Sequence, residues 1–148
     1  MSNNTDRLQG GISPPQEGSE WRILGHTYWN RACGESAFAF ETYDPPGTFV
    51  PPHVHPTQDE FIHVIEGDLE VELNGKRHQA PAGSLVKMPR GVPHAYYNNS
   101  ERSIRCLFWV SPAGRLKELF DQLHDMTDTD EVVRVSAQHD VDFLPPKE

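Results

Sequence analysis

Short runs of strand-forming residues, broken by glycine, proline and asparagine, fill the chain from about residue 21 to residue 110. Within this region, residues 69–73 alternate leucine or valine with glutamate, as expected for a strand with one buried and one solvated face. Asn74-Gly75 follows directly and predicts a two-residue hairpin turn. Several short strands at close spacing are typical of an antiparallel sandwich or barrel, so we predict an all-β domain.

The pattern changes after residue 111. Ser111 is a favourable N-cap, and Pro112 suits the first position of a helix. Large apolar residues then recur at spacings of three and four, at Leu116, Leu119, Phe120 and Leu123. This stripe predicts an amphipathic helix over about residues 112–125. We predict a second helix over about residues 129–139 and an extended end at "VDFLPP".

These patterns divide the chain into three parts. Residues 1–20 lack the basic and apolar regions of a signal peptide and are expected to form a flexible arm. Residues 21–111 form the predicted β-barrel, and residues 112–148 form C-terminal helices and an extended tail packed on that barrel.

Composition narrows the possible partners. The formal net charge of −9 argues against binding to nucleic acid or to an anionic membrane surface. No apolar run approaches the roughly 20 residues that a membrane-spanning helix needs. Cys33 and Cys106 are too few for a disulfide framework and are expected to be buried or half-buried apolar residues. We therefore expect a protein of the reducing cytoplasm.

The candidate chemistry begins in "PGTFVPPHVHPTQDEF". His53 and His55 lie two residues apart, so a strand directs both imidazoles to one face. Glu60 lies an odd number of residues further on and would face the other way in an unbroken strand. The turn formers in residues 56–59 allow the chain to reverse, so that Glu60 returns to the side of the imidazoles.

A fourth candidate ligand is His94, which follows the turn Pro89-Arg90-Gly91 and begins the next predicted strand. Three imidazoles and a carboxylate suit one divalent ion per chain: Fe, Mn, Ni, Co or Zn. With six-coordinate geometry, four protein ligands leave two positions for water, substrate or dioxygen. The predicted metal ligands are thus His53, His55, Glu60 and His94.

The arrangement of these residues resembles that of the cupin superfamily. The first cupin motif, G(X)5HXH(X)4E(X)6G, is met by Gly47, His53, His55, Glu60 and Gly67. The second, G(X)5PXG(X)2H(X)3N, is met by Gly83, Pro89, Gly91, His94 and Asn98. The resemblance implies a double-stranded β-helix, which is a small jelly-roll barrel with its metal inside, and a homodimer.

A wider similarity, over about residues 21–146, is to quercetin 2,3-dioxygenase-like single-domain cupins. It rests on four short sequences shared with them: Leu24-Gly25, "PPG" ending at Gly47, "SPAG" from Ser111 and "DFLPP" from Asp142. Proteins of this kind differ widely in substrate, so the similarity is a poor guide to what the chain acts on.

Two residues are candidate catalytic groups. The quercetinase resemblance implies that Glu60 can leave the metal and take a proton from a substrate hydroxyl; the alternative is that it is a fixed ligand only. Tyr96 shares the face of His94 and could line the cavity as a hydrogen-bond donor, or it could be structural. Arg90 could meet an anionic substrate or be a solvated turn residue. Four histidines lack motif support: His26, His78, His124 and His139.

The leading hypothesis is a metal-dependent dioxygenase that acts on a small enolisable or phenolic compound. The substrate would chelate the metal through adjacent hydroxyl and keto oxygens. One alternative is a non-redox enzyme that uses the metal as a Lewis acid, such as a polyketide cyclase, isomerase or lyase. Another is a non-catalytic cupin that binds a small ligand. The expected partner in each case is a small molecule, without nucleic acid or membrane.

Overall fold

The computed structural model describes residues 8–145. Its strands form two antiparallel sheets. The first sheet contains, in spatial order, β1 (Glu20–Ile23), β2 (His26–Cys33), β3 (Phe38–Asp44), β10 (Ile104–Ser111), β5 (Asp59–Glu66) and β8 (Leu85–Met88). The second contains β11 (Asp142–Phe143), β4 (Phe49–Val54), β9 (His94–Tyr97), β6 (Asp68–Leu73) and β7 (Lys76–Pro81). Strands distant in sequence lie side by side, as in a jelly roll, which confirms the predicted all-β class.

The core lies between the two sheets. Tyr96 of β9 packs against Phe108 of β10, with ring centroids 5.2 Å apart. On β5, Ile62 and Val64 are fully buried, whereas His63 is exposed. This alternation confirms the strand phase that directs Glu60 inward.

The hairpin between β6 and β7 turns at Asn74-Gly75, as predicted. Both residues have positive φ, 49° and 83°, which a tight hairpin turn of this kind requires. The face of β6 that was expected to be solvated is only partly exposed, because Glu72 is buried. Its carboxylate accepts a hydrogen bond from Arg77 Nε at 3.1 Å, and this pairing explains how an acidic group is kept there.

Two helices follow the sheets: α1 (Leu116–Leu123) and α2 (Thr129–Ala137). The predicted helix start at Ser111 and Pro112 is wrong, because β10 continues to Ser111 and α1 begins at Leu116. The segment between them is bonded across the fold. The Ala113 N–H donates to the Glu35 carbonyl at 3.1 Å, and the Pro112 and Ala113 carbonyls accept from one glutamine side chain.

Helix α1 joins the core through its predicted apolar stripe, all four members of which are buried. Phe120 lies against Phe40 and Tyr28, with centroid distances of 4.9 and 5.1 Å. Helix α2 begins after Asp128, whose carboxylate accepts hydrogen bonds from two N–H groups of the first turn. The second predicted helix is therefore confirmed, although it ends at Ala137.

The N-terminal part of the described chain lies along the first sheet. Arg31 Nε donates to Ser13 Oγ at 3.0 Å, and the Gln16 N–H donates to Glu41 at 2.9 Å. Residues 1–7 and 146–148, including the end of the "DFLPP" sequence, lie outside the described residues. The predicted division into arm, barrel and extension stays a prediction. Cys106 is fully buried and Cys33 half-buried, as expected.

Within residues 8–145, every helix is too short or too polar to cross a lipid bilayer.

Candidate metal centre and its cavity

The fold brings the four predicted ligands together. His53 lies on β4 and pairs directly with His94 at the start of β9, while Glu60 lies on β5 and His55 just after β4. One ligand atom from each residue lies within 4.8 Å of the other three. All four side chains are buried, so little water competes for these atoms.

Two of the imidazoles are oriented by the backbone. His53 Nδ1 lies 2.9 Å from the Pro51 carbonyl oxygen, and His94 Nδ1 lies 3.1 Å from that of Val92. A carbonyl oxygen only accepts, so Nδ1 carries the proton in both rings and Nε2 has the free lone pair. In each case the acceptor lies two residues earlier on the same chain segment, so the strand itself sets the ring orientation.

The third imidazole is oriented by a side chain. His55 Nδ1 donates to Gln58 Oε1 at 2.9 Å, while Gln58 Nε2 donates to the carbonyls of Pro112 and Ala113 at 3.0 and 2.7 Å. Those two carbonyls hold the amide in one orientation and thereby fix its oxygen toward His55. A Cβ at Gly114, which has φ +53°, would lie 2.9 Å from Gln58 Nε2. Sequence reasoning used Gln58 only as part of a turn and missed this role.

The electrostatics of the cluster favour metal-binding protonation states. Burial alone would raise the pKa of Glu60, but the surrounding imidazoles outweigh it and hold this pKa at about 2. His94 Nε2 is 3.1 Å and His55 Nε2 is 3.6 Å from Glu60 Oε1. Burial, aided by the neighbouring imidazoles, lowers the pKa of His53 to about 3. At neutral pH Glu60 is therefore an anion and His53 a neutral base, as metal ligation requires.

This donor set fits a divalent metal ion. Three imidazole nitrogens with Nε2 unprotonated and one carboxylate oxygen form a nitrogen and oxygen site of the borderline type that Fe, Mn, Co, Ni and Zn occupy. The hydrogen bonds to Nδ1 are the outer-shell contacts that metal-binding histidines usually have. The cluster thus has both the ligands and the support of a metal centre.

A cavity of about 410 Å³ opens beside the cluster. His53, His55 and Glu60 line one part of it, and most of the remaining wall is apolar. Helix α1 contributes Leu119 and Phe120, and helix α2 contributes residues of its buried face. The C-terminal extension therefore forms part of the wall around the metal centre.

The predicted catalytic candidate Tyr96 also lines this cavity. Its hydroxyl lies 3.1 Å from that of Tyr28 on β2, and both residues are buried. Burial raises the pKa of both phenols, and the nearby carboxylate of Asp44 adds to this effect. Asn98 is buried elsewhere, where its amide donates to the backbone carbonyls of Asp44 and Arg102.

A second buried pair of histidine and carboxylate contributes His26 to the cavity wall. His26 Nδ1 is 2.6 Å from Asp44 Oδ1, and His26 Nε2 is 3.2 Å from the Phe49 carbonyl oxygen. The other Asp44 oxygen accepts from Thr42 Oγ1 at 2.8 Å. Sequence reasoning missed this pair, because the two residues lie on different strands, 18 positions apart, with no motif to join them.

The remaining polar candidates lie away from the cavity. Arg90 is half-exposed and pairs with Asp59, so it faces solvent rather than a bound anion. His78 is exposed. His124 Nδ1 accepts the Arg22 N–H, and His139 Nδ1 lies 2.9 Å from a backbone carbonyl oxygen of α2.

The fold and the site together define a jelly-roll protein with a buried cluster of nitrogen and oxygen ligands that fits a divalent metal ion. Comparison with protein families identifies the class more closely, because residues 40–110 match the cupin domain. The chain therefore contains a cupin domain. Its fold is similar to that of an RmlC-like cupin from Shewanella frigidimarina, with a TM-score of 0.65 and 18% identity over 72% of this chain and 95% of that one.

The named relatives differ in the reaction that their names describe. The chain is 34% identical to the polyketide synthase CurC of Streptomyces cyaneus over 67 residues, which are 45% of this chain and 44% of CurC. It is 39% identical to the quercetin 2,3-dioxygenase of Bacillus subtilis over 57 residues, 38% of this chain and 17% of that enzyme. The matches span half or less of the length of each relative.

Proposed function

We propose that this cupin is a metal-dependent enzyme for a small, largely apolar phenolic or enolisable compound. The observation that carries the proposal is the shared cavity: His53, His55 and Glu60 line the same apolar space in which a ligand of this kind would bind. Similarity to a polyketide synthase protein and to a quercetin 2,3-dioxygenase supports the same substrate class. Oxygen-dependent cleavage is our leading form of the reaction.

In this proposal His53, His55, Glu60 and His94 hold one divalent ion. The bound ion supplies Lewis acidity, which lowers the pKa of a substrate hydroxyl beside a keto group. Glu60 receives the hydroxyl proton as general base. The apolar walls from α1 and α2 exclude water, so the enolate keeps its reactivity for dioxygen. Tyr96 donates a hydrogen bond to the substrate.

The similarity to CurC favours a second candidate, a non-redox cyclase, isomerase or lyase at the same centre. A non-catalytic cupin that binds the same ligands is the third. We also propose a cytoplasmic homodimer; the location rests on the sparse cysteines and the dimer on the cupin resemblance, and light scattering on the purified protein tests the dimer.

Turnover measured with and without oxygen separates the three candidates. We would assay flavonols, diketones and phenolic polyketides with the protein loaded in turn with each of the five metals. A dioxygenase stops under nitrogen, a cyclase, isomerase or lyase continues, and a passive binder is inactive in both atmospheres. Absence of turnover with every metal and substrate would contradict the enzyme proposal.

The base role of Glu60 is tested by Glu60→Gln, because an amide oxygen can still coordinate but cannot accept the proton. At equal metal loading we expect a rate loss of about 10²–10⁴-fold. Glu66→Gln is the matched control, since Glu66 is an exposed residue of the same strand and is expected to keep the full rate. If the metal-loaded Glu60→Gln protein kept the wild-type rate, Glu60 would be a ligand only and not a general base.

A further inference from the structure

The two buried tyrosines have one hydrogen bond between them. The Tyr28 and Tyr96 hydroxyl oxygens are 3.1 Å apart, and within residues 8–145 neither hydroxyl has another hydrogen-bond partner. Two hydroxyls carry two protons, and their mutual bond uses only one. The protein therefore leaves one hydroxyl proton available to a molecule in the cavity.

The neighbouring histidine does not take this proton. Both ring nitrogens of His26 face other groups, Nδ1 the Asp44 carboxylate and Nε2 the Phe49 carbonyl oxygen. The ring still packs beside both tyrosines, with centroids 5.7 Å from Tyr28 and 6.2 Å from Tyr96. His26 thus supports the pair without competing for its hydrogen bonds.

Both phenol rings are held in place by aromatic neighbours. Tyr28 lies between Phe40 and Phe120, with centroid distances of 5.4 and 5.1 Å, and Tyr96 packs on Phe108. Rigid packing of this kind preorganises a donor for a ligand, because little side-chain entropy is left to lose on binding.

The pair faces the same cavity as the candidate metal centre. Tyr96 follows His94 by two residues on β9, so its side chain projects from the same face about 7 Å further along the strand. A ligand that chelates the metal through two adjacent oxygens would extend toward this pair, and a third oxygen on its edge could then accept the free hydroxyl proton.

We propose that the Tyr28–Tyr96 hydroxyl pair is an oxygen-recognition subsite, which donates a hydrogen bond to a substrate oxygen outside the chelating hydroxyl and keto pair. The inference rests on the function proposed above and makes its substrate class narrower. The preferred ligand is a planar aromatic ketone with apolar faces and a further oxygen beside the keto group. Tyr28, which no motif singles out, is then a specificity residue.

Binding to the zinc-loaded protein tests this subsite, because zinc does no redox chemistry and no turnover is needed. The two probes are 3-hydroxyflavone and 3,5-dihydroxyflavone, which share the chelating pair and differ by one hydroxyl. Titration calorimetry should show that the double variant Tyr28→Phe with Tyr96→Phe, which removes both hydroxyl protons, reduces the preference for the dihydroxy compound by roughly three- to tenfold relative to wild type. Comparing ratios of affinities cancels any effect of the extra hydroxyl on chelation itself.

The control is Tyr97→Phe, since Tyr97 lies on the same strand, is only half-buried and stacks with Phe49 and Arg77 outside the pair. It should keep the wild-type preference. Tyr96→Phe alone removes the hydroxyl that the proposed function directs to the substrate and should lower the same preference, which provides the test if the double variant fails to fold by circular dichroism.

The outcomes separate this inference from the proposed function. If both flavones bind and the double variant keeps the wild-type preference, the subsite is wrong and the proposed function stands. Equal weakening of both ligands would likewise overturn it, since that indicates a displaced ring rather than a lost hydrogen bond. If neither flavone binds the zinc-loaded protein, the substrate class fails, and the subsite fails with it.

Discussion

Two buried pairs of histidine and carboxylate each contribute one residue to the wall of the cavity, and the pairs differ in what surrounds them. In the first, His26 and Asp44 are 2.6 Å apart, and the remaining His26 nitrogen and Asp44 oxygen meet a carbonyl and a threonine hydroxyl. In the second, His94 and Glu60 are 3.1 Å apart, and two further imidazoles join them. The polar atoms of His26 and Asp44 all bond to protein groups, so we call these two residues the closed pair. His94 and Glu60 belong with His53 and His55 to what we call the convergent cluster.

The difference comes from the number of ligand groups that converge at each place. In the convergent cluster, Nδ1 of each imidazole donates to a protein oxygen, and Nε2 faces the other ligands. His26 and His94 each direct one nitrogen to a carboxylate and the other to a backbone carbonyl, but within residues 8–145 no third ligand group joins His26 and Asp44. Burial and a carboxylate partner are therefore not enough to make a metal site; the convergence of four ligand atoms within 4.8 Å is what distinguishes the second cluster.

The largest expected effect is the loss of metal when a member of the convergent cluster is removed. We expect wild type to bind about one ion per chain, and His94→Ala or His53→Ala to bind little, because each removes one of four ligands. Elemental analysis measures this, with circular dichroism to confirm β structure. His26→Asn, which changes the closed pair, should keep its metal. Full retention in both alanine variants would remove these residues from the site.

The next largest effect is on stability and concerns the closed pair. Asp44→Asn replaces the carboxylate that bonds His26 with a neutral amide and should lower the free energy of unfolding by about 1.5–3 kcal/mol, while metal content stays unchanged. Urea unfolding measures the difference. Asp59→Asn is the control, because it breaks an exposed ion pair and should change stability far less. Loss of metal in Asp44→Asn would show that the two pairs are coupled.

The convergent cluster was predictable from the sequence, and the closed pair was not. His53, His55, Glu60 and His94 have a spacing set by two turns and the period of a strand, so local rules place them on one face. Tyr96 was predictable for the same reason, since it lies two residues from His94.

Residues whose roles depend on long-range contacts could not be predicted in this way. Asp44 finds His26 across two strands, Tyr28 meets Tyr96 from the opposite sheet, and Gln58 reaches a segment 55 residues later. The predicted helix start was wrong for a related reason. Local capping rules favoured Ser111. The Pro112 and Ala113 carbonyls, however, accept hydrogen bonds from the Gln58 side chain instead of from the N–H groups of a helical turn.

A smaller effect is expected when the metal-free protein is acidified. The pKa of His53 is about 3 in the fold against an ordinary 6.5, so between these values the unfolded chain binds a proton that the folded one does not. Stability should thus fall as pH is lowered below 6.5, by about 2 kcal/mol between pH 7 and pH 5. The lowered pKa of Glu60, about 2, adds to the loss only below about pH 4.5.

Urea unfolding at pH 7, 6 and 5 in the presence of a chelator measures this dependence. His53→Gln should flatten it, because the titrating group is gone. A wild-type stability that is constant over this range would show that His53 is not held neutral by its surroundings.

The smallest expected effect concerns Gln58, which supports one of the three imidazoles. Gln58→Leu keeps the approximate size of the side chain but removes the acceptor for His55 Nδ1, so the ring loses its fixed orientation. Zinc affinity should fall by about tenfold, the lower end for outer-shell changes, because the other two imidazoles keep their backbone acceptors. Competition with a coloured chelator measures it, and Gln79→Leu is the control, because Gln79 is exposed and its side-chain amide donates to Glu70.

Gly114→Ala gives an independent way to disturb the same contact. A Cβ there would lie 2.9 Å from Gln58 Nε2, and φ at this position is +53°, so the substitution should displace the amide and weaken zinc binding in the same direction. The combined variant Gln58→Leu with Gly114→Ala should lose little more affinity than Gln58→Leu alone, because both changes act through one amide. Fully additive losses would mean that the C-terminal extension influences the metal centre by another route.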